Sequence, residues 1–252
     1  MRDDLGSTVP VPADVRRVVS LVPSLTEAVA VSAPGLLVGA TDWCTHPADL
    51  DVVRIRGTKN PDLAAIRALA PDLVLANEEE NRAADLAALR AAGIAVWVTR
   101  VRGLDEAFAA LERMLVLGCR LPVPTWLDRC RTAWAALPAA APRRAIIPVW
   151  RRPWMVAGRD TFAADALTRF GVENVFAGHA ERWPRISLDE LRAAEADLVV
   201  LPDEPYRFTA TDGPEAFPHL PAALVSGRHL TWYGPSLAAA PEVLAGQLAI
   251  RG

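Results

Sequence analysis

Residues 122–137 read PVPTWLDRCRTAWAAL, close to the midpoint of a 252-residue chain. Trp126, Cys130, Trp134 and Leu137 recur at spacings of four, four and three, the apolar stripe of an amphipathic helix. Pro122 and Pro124 suit its start, because the first turn leaves backbone N–H groups unpaired in any case. Pro138 and Pro142 stop it. At 1.5 Å per residue the helix is roughly 20 Å long. Taken alone it is an ordinary amphipathic helix. Its weight comes from the similar text on either side.

Residues 66–82, IRALAPDLVLANEEENR, match residues 191–207, LRAAEADLVVLPDEPYR, at an offset of 125. Arg16-Arg17-Val18-Val19 likewise answers Arg143-Arg144-Ala145-Ile146 at an offset of 127. A period this long is not that of a solenoid. It predicts two similar lobes, residues 1–121 and 142–252, with a connecting helix at 122–141.

Apolar residues make up 52 % and charged residues 23 %, a globular mix, and the net charge of −3 argues against nucleic acid as a partner. No apolar run is long enough to span a membrane. The N-terminal text, MRDDLGSTVPVPADVRR, lacks the apolar core of a signal peptide, so a cytoplasmic protein is expected as written. An incomplete start would alter that expectation. Three widely spaced cysteines, Cys44, Cys119 and Cys130, form neither a disulfide framework nor a zinc pattern.

Along the chain, short apolar runs alternate with helical text. Strands are expected at 17–22, 36–40, 52–55, 73–76, 95–99, 145–149 and 198–201, with a last one inside 225–231. Helices are expected at 62–69, 82–92, 104–117, 161–170 and 188–194, another capped by Ser24, and a final one from about Leu237. This is α/β text with parallel sheets. The loops after the strands carry Trp43, Trp150, Trp154, Trp183, Tyr206, Phe208, Trp232 and Tyr233, with Arg151, Arg152, Arg182 and Arg207. Ligands of open parallel sheets bind outside the carboxyl ends of the strands. Aromatic faces and guanidinium groups there suit a large, flat, partly anionic ligand.

The sequences RVVSLVPSLTE (17–27), GATDW (39–43), GTKNP (57–61), APDLV (70–74), WPRIS (183–187) and ADLV (196–199) resemble the class III substrate-binding proteins of ABC importers, the helical-backbone metal receptors, and their cobalamin-binding members most. The resemblance runs from about Arg16 to Leu248. It implies two Rossmann-like lobes joined by a single long backbone helix, with no intrinsic cofactor. The bound ligand would be a cobalamin, another corrinoid, a haem or a ferric siderophore, held in an interlobe cleft. The ligand residues implied are Pro23, Ser24, Trp43, Thr58, Lys59, Asn60, Asn77 and Glu79 in the first lobe. In the second they are Trp150, Arg151, Trp154, Arg182, Trp183, Glu204, Tyr206, Arg207 and Trp232.

Members that dock to a permease carry an exposed carboxylate on each lobe. Here the first of those positions is Ala64 and the second is Asp189, so the resemblance leaves half of the docking pair. Together with the N-terminal text, this suggests a cytosolic binder that no longer feeds a permease. An alternative is an enzyme with Asp42, His46 or Glu79 as acid–base groups. Cys44-x-His46 is too small a set for a metal site. No nucleophile elbow, P-loop or dinucleotide fingerprint is present, so no catalytic residue is assigned.

Overall fold

The computed structural model describes residues 1–249; the expected end of the second lobe at 252 lies outside them. The chain divides into two units. One holds Met1–Val101, Asp105–Asp128 and Tyr233–Pro235; the other holds Arg102–Leu104, Arg129–Trp232 and the chain from Ser236 on. The division at 128/129 falls inside the central helix, Thr125–Ala135. Trp126 Nε1 donates to Ser32 Oγ (2.9 Å) within the first unit, and Trp134 Nε1 donates to the Leu237 carbonyl (2.9 Å) within the second.

The first unit contains a five-stranded sheet in the order Val53–Arg54, Leu37–Ala40, Val18–Ser20, Leu73–Asn77, Val96–Thr99. The second contains a four-stranded sheet in the order Val172–Asn174, Arg143–Ile146, Leu198–Pro202, Ala222–Val225. Every pairing within both sheets is parallel. Val18–Ser20, Leu73–Asn77, Val96–Thr99 and Leu198–Pro202 are buried along their whole length. Strands covered on both faces read as continuous apolar runs, as these do.

The long-period repeat has a hydrogen-bonding cause. Asp72 Oδ2 accepts from the backbone N–H groups of Arg16 (2.8 Å) and Arg17 (2.9 Å). Asp197 Oδ2 accepts from that of Arg144 (2.6 Å). Asp72 N–H returns a bond to the Arg17 carbonyl and Asp197 N–H to the Arg144 carbonyl, both at 2.8 Å. Each aspartate therefore pins the start of its unit's first strand and sets the register, Val18 opposite Leu73 and Ala145 opposite Leu198. Replacing Asp197 with alanine should cost about 1–2 kcal/mol in chemical denaturation, at the overlap of the values for neutral hydrogen bonds and for those to a charged group. A cost indistinguishable from zero would show that the ladder alone holds the register.

Several elements differ from the sequence reading. The central helix is shorter than 122–137. The helix after the first strand starts at Pro23, with Val22 as N-cap and no side-chain cap, so Ser24 lies inside it. The last strand is Ala222–Val225, and Gly227–Thr231 is a short helix. The terminal helix begins at Ala240 after a 3₁₀ turn at Pro235–Ala238. Proline at the first helical position made the Pro23 start available without a polar cap. The 225–231 text failed as a strand because its glycine is needed for a close approach described below. Ser187 does cap its helix, accepting from Glu190 N–H at 3.2 Å.

Candidate functional site

In the second unit, the chain goes from Arg143–Ile146 to Val172–Asn174 on one side of the sheet, and from the neighbouring Leu198–Pro202 to Ala222–Val225 on the other. Such a reversal opens a crevice at the carboxyl ends of the two strands. The loops that leave this point carry an aromatic shelf. The rings of Trp154 and Phe208 stack (6.0 Å, 9°), and Phe217 meets Trp154 edge-on (5.4 Å). Tyr206 lies 4.7 Å from Phe208, and Trp150 meets Tyr206 edge-on at 5.6 Å. Phe208 and Phe217 belong to a core with Ile146, Val199 and Leu201. The shelf is therefore core at its base and open at Trp150, which is 42 % exposed.

Arg151 lies over the Trp154 ring, 5.2 Å from its centroid. Its guanidinium pairs with Asp212 and with Glu215 (2.5 Å). Tyr206 OH donates to Asp212 Oδ2 at 2.6 Å. The Tyr206 hydrogen bond, with Arg151 and Arg152 nearby, holds the Asp212 carboxyl below its ordinary value. Burial acts to raise Glu215, but the Gly213 N–H and Arg151 bring it lower overall. Burial acts against the Arg151 charge, yet Glu215 and Asp212 raise its pKa on balance. All three groups are charged at neutral pH. Gly213 makes this turn possible: its φ is 133°, and a Cβ there would lie 2.8 Å from the Phe208 ring.

Beside the shelf, Trp232 Nε1 donates to Glu204 Oε2 at 2.9 Å, and Arg228 sits 5.9 Å from the Trp232 ring centroid. Burial raises the Glu204 pKa, and Asp203 adds to this against the opposing effects of Trp232 and Arg228. The folded chain therefore holds the Glu204 proton to higher pH than the unfolded chain does. The resulting stability is present below the usual carboxylate value and lost as pH rises through the folded pKa. Relative to the parent, Glu204→Gln should gain thermal stability between pH 4 and 7 and show little difference at the acid end. A flat difference across that range would contradict the raised pKa. Arg182 is anchored through its Nε to the Asp160 carbonyl at 2.9 Å.

In the first unit the loop after Leu37–Ala40 presents Trp43, 66 % exposed. Beneath it Cys44 is fully buried, its Sγ 3.0 Å from Thr26 Oγ1 and 3.1 Å from Thr41 Oγ1. Burial raises the thiol pKa, so Cys44 is a neutral core residue. His46 Nδ1 instead faces Thr45 Oγ1 at 3.1 Å. Among the described residues no three His, Cys, Asp or Glu side chains are grouped to hold a metal ion. Asn77 bonds Thr99 through Nδ2 and accepts from Glu79 and Glu80 N–H through Oδ1. Asn81 joins the Asn77 N–H to the Thr58 carbonyl, and Lys59 Nζ donates to the Glu79 carbonyl. Tyr233 belongs to this unit. Its buried hydroxyl bonds Thr99 and Ser24, and burial raises its pKa.

No family model matches the chain. It is similar to the vitamin B12-binding protein of Pectobacterium atrosepticum, 23 % identical over 254 residues, covering 93 % of this chain and 88 % of that one. To the vitamin B12-binding protein of Salmonella typhimurium it is 28 % identical over 193 residues, covering 73 % and 71 %. Among solved structures, the periplasmic vitamin B12 binding protein BtuF of Vibrio cholerae superposes with a TM-score of 0.72 at 18 % identity, covering 94 % of this chain and 98 % of that one. The periplasmic heme-binding protein RhuT from Roseiflexus gives 0.74 at 21 %, covering 92 % and 97 %. Helicobacter pylori CeuE with Ni(II) bound gives 0.81 at 12 %, covering 99 % and 88 %. The chain has the class III substrate-binding-protein fold. None of these proteins is named as an enzyme, and the acid–base reading of Asp42, His46 and Glu79 draws no support from them. The cytoplasmic expectation also goes unsupported, since these solved neighbours include periplasmic proteins.

Within this binding-protein fold the residues expected to meet a ligand fall into two groups. Trp43, Lys59, Asn60, Trp150 and Arg207 are exposed, and Pro23, Thr58, Glu79, Arg151, Trp154, Arg182, Trp183, Glu204 and Tyr206 are half-buried. Ser24, Asn77 and Trp232 are buried and hydrogen-bonded, and they hold the loops that carry the others. The sequence reading passed over Asp212 and Glu215. Their only textual cue is the Asp-Gly-Pro turn between Thr211 and Glu215, a loop signal with no chemistry attached.

Proposed function

We propose that the chain binds a metal chelate of the cobalamin or haem class without transforming it. The observation that carries this reading is similarity to vitamin B12-binding proteins over 93 % of the chain, on a fold shared with B12- and heme-binding proteins. The aromatic shelf of Trp150, Trp154 and Tyr206 and the exposed Trp43 offer flat apolar contact to a planar ring, the chemistry such a ligand needs. As a component of an ABC importer it would meet a permease. Ala64 and Asp189 are both exposed, each in the first turn of a short helix. Only Asp189 can offer a carboxylate, so the docking reading is of a weakened or altered partner contact. The compartment that goes with this function is the periplasm.

Titration of intrinsic tryptophan fluorescence with cyanocobalamin, cobinamide and haemin, with inner-filter controls, tests the reading. Saturable quenching by one chelate is expected, weakened at least tenfold by Trp43→Ala or Trp150→Ala. Both residues are exposed, so neither change should unfold the chain. No saturable response to any chelate would refute it.

A further inference from the structure

We infer that Asp212 and Glu215 are specificity residues that neutralise the Arg151 corner of the aromatic shelf in the second unit, and so select a chelate with an uncharged periphery over one fringed with carboxylates. This rests on the chelate-binding function proposed above. Arg151 looks, from sequence, like an anion-binding group above an indole. In the structure its guanidinium is taken up by the two carboxylates and only 14 % of its side chain is exposed. Arg152 is the other cation acting on Asp212. At this corner of the shelf the charges of Arg151 and Arg152 are balanced by those of Asp212 and Glu215.

Glu215 is half-exposed and Asp212 more than a third exposed, so a ligand carboxylate approaching Arg151 would meet like charge beside it. Amide groups carry no such penalty, and both the carboxylates and the tyrosine hydroxyl can hydrogen-bond with them. Specificity of this kind comes as much from what is repelled as from what is attracted.

The test compares cyanocobalamin with haemin, whose propionates are anionic, at low ionic strength. The parent chain is expected to favour cyanocobalamin by at least tenfold. D212N/E215Q, which leaves both arginines unneutralised, should shift that ratio at least tenfold towards haemin. R151Q/D212N breaks the same ion pairs but keeps the charge balanced, and it should leave the ratio within about threefold of the parent. A ratio unmoved by D212N/E215Q, or moved equally by both variants, overturns the inference.

Trp150 provides a readout that needs no chelate. Its quenching by iodide relative to caesium, isolated by difference from W150F, should rise at least twofold in D212N/E215Q. Absence of chelate binding in the parent would refute the binding function. An unchanged iodide-to-caesium ratio would refute the charge-balancing role on its own.

Discussion

Trp97→Ala is expected to lower the unfolding free energy by about 3–5 kcal/mol, the range for removing a large aromatic from a close-packed core. Trp97 lies in the edge strand Val96–Thr99 of the first unit and is fully buried. A Cβ placed at Gly118 would lie 3.3 Å from its indole, so the space around the ring is already filled on that side. The strand cannot collapse into the void, because its backbone is laddered to Leu73–Asn77. Trp97 also carries a defect: its buried Nε1 has no hydrogen-bond partner among the described residues. A buried donor left unpaired costs about 1–3 kcal/mol. Trp97→Phe removes the donor while keeping most of the ring, so its cost should fall well below that of alanine, to about 2 kcal/mol or less. Urea denaturation of both variants checks this. Equal costs for alanine and phenylalanine would show that the indole N–H does not burden the fold.

Gly227→Ala is expected to disturb both stability and the site. A Cβ at Gly227 would lie 2.5 Å from Glu204 N, 2.6 Å from Glu204 Cβ and 2.8 Å from Glu204 Cα. Two of those are backbone atoms, so no rotamer change relieves the overlap. The Gly227 N–H also donates to Asp203 Oδ1 at 2.5 Å, tying the two loops at the same point. Accommodating a methyl group means moving the 203–208 loop, which carries Glu204, Tyr206 and Phe208. The cost should be about 1–3 kcal/mol, as for overpacking elsewhere. The bond from Trp232 to Glu204 should be lost with it. Thermal unfolding would read the first effect, and near-ultraviolet circular dichroism from the tryptophans the second. Affinity for the preferred chelate should fall at least tenfold in the same variant. Unchanged stability together with unchanged affinity would mean the two loops separate more readily than the contact distances allow.

Much of the architecture was legible from text. The Asp-Leu-Val units at 72–74 and 197–199 opened buried strands as read, because burial on both faces demands an unbroken apolar run. The match at offset 125 reflected a real shared device, an aspartate holding the start of a neighbouring strand. Ser187 followed a local rule and capped its helix. Ser24 obeyed the same residue preference on paper, yet the helix began at Pro23, two positions before the start a Ser24 cap implies, and carried the serine inside. Val225–Thr231 has strand composition, but Gly227 had to approach Glu204, and the strand ended before it.

The candidate site divides along the same line. Aromatic and arginine residues at strand ends are visible in any linear reading, since the strands themselves are. Their electrostatic state is not. Arg151 reads as a free cation until Asp212 and Glu215, both more than sixty positions away, fold back onto it. Asn77 reads as a ligand amide until its donors and acceptors are traced to Thr99, Glu79 and Glu80. The sequence by itself determined most of the sheet strands, though not Val172–Asn174 or the place of Ala222–Val225, that there are two like units, and which loops bear flat apolar groups. These follow from periodicity and local propensity, which are carried by neighbours in the chain. Only the tertiary structure decided which charges are cancelled, which polar groups are occupied and which tryptophans remain open to a ligand. Those depend on distances between residues remote in sequence, and no local pattern encodes them.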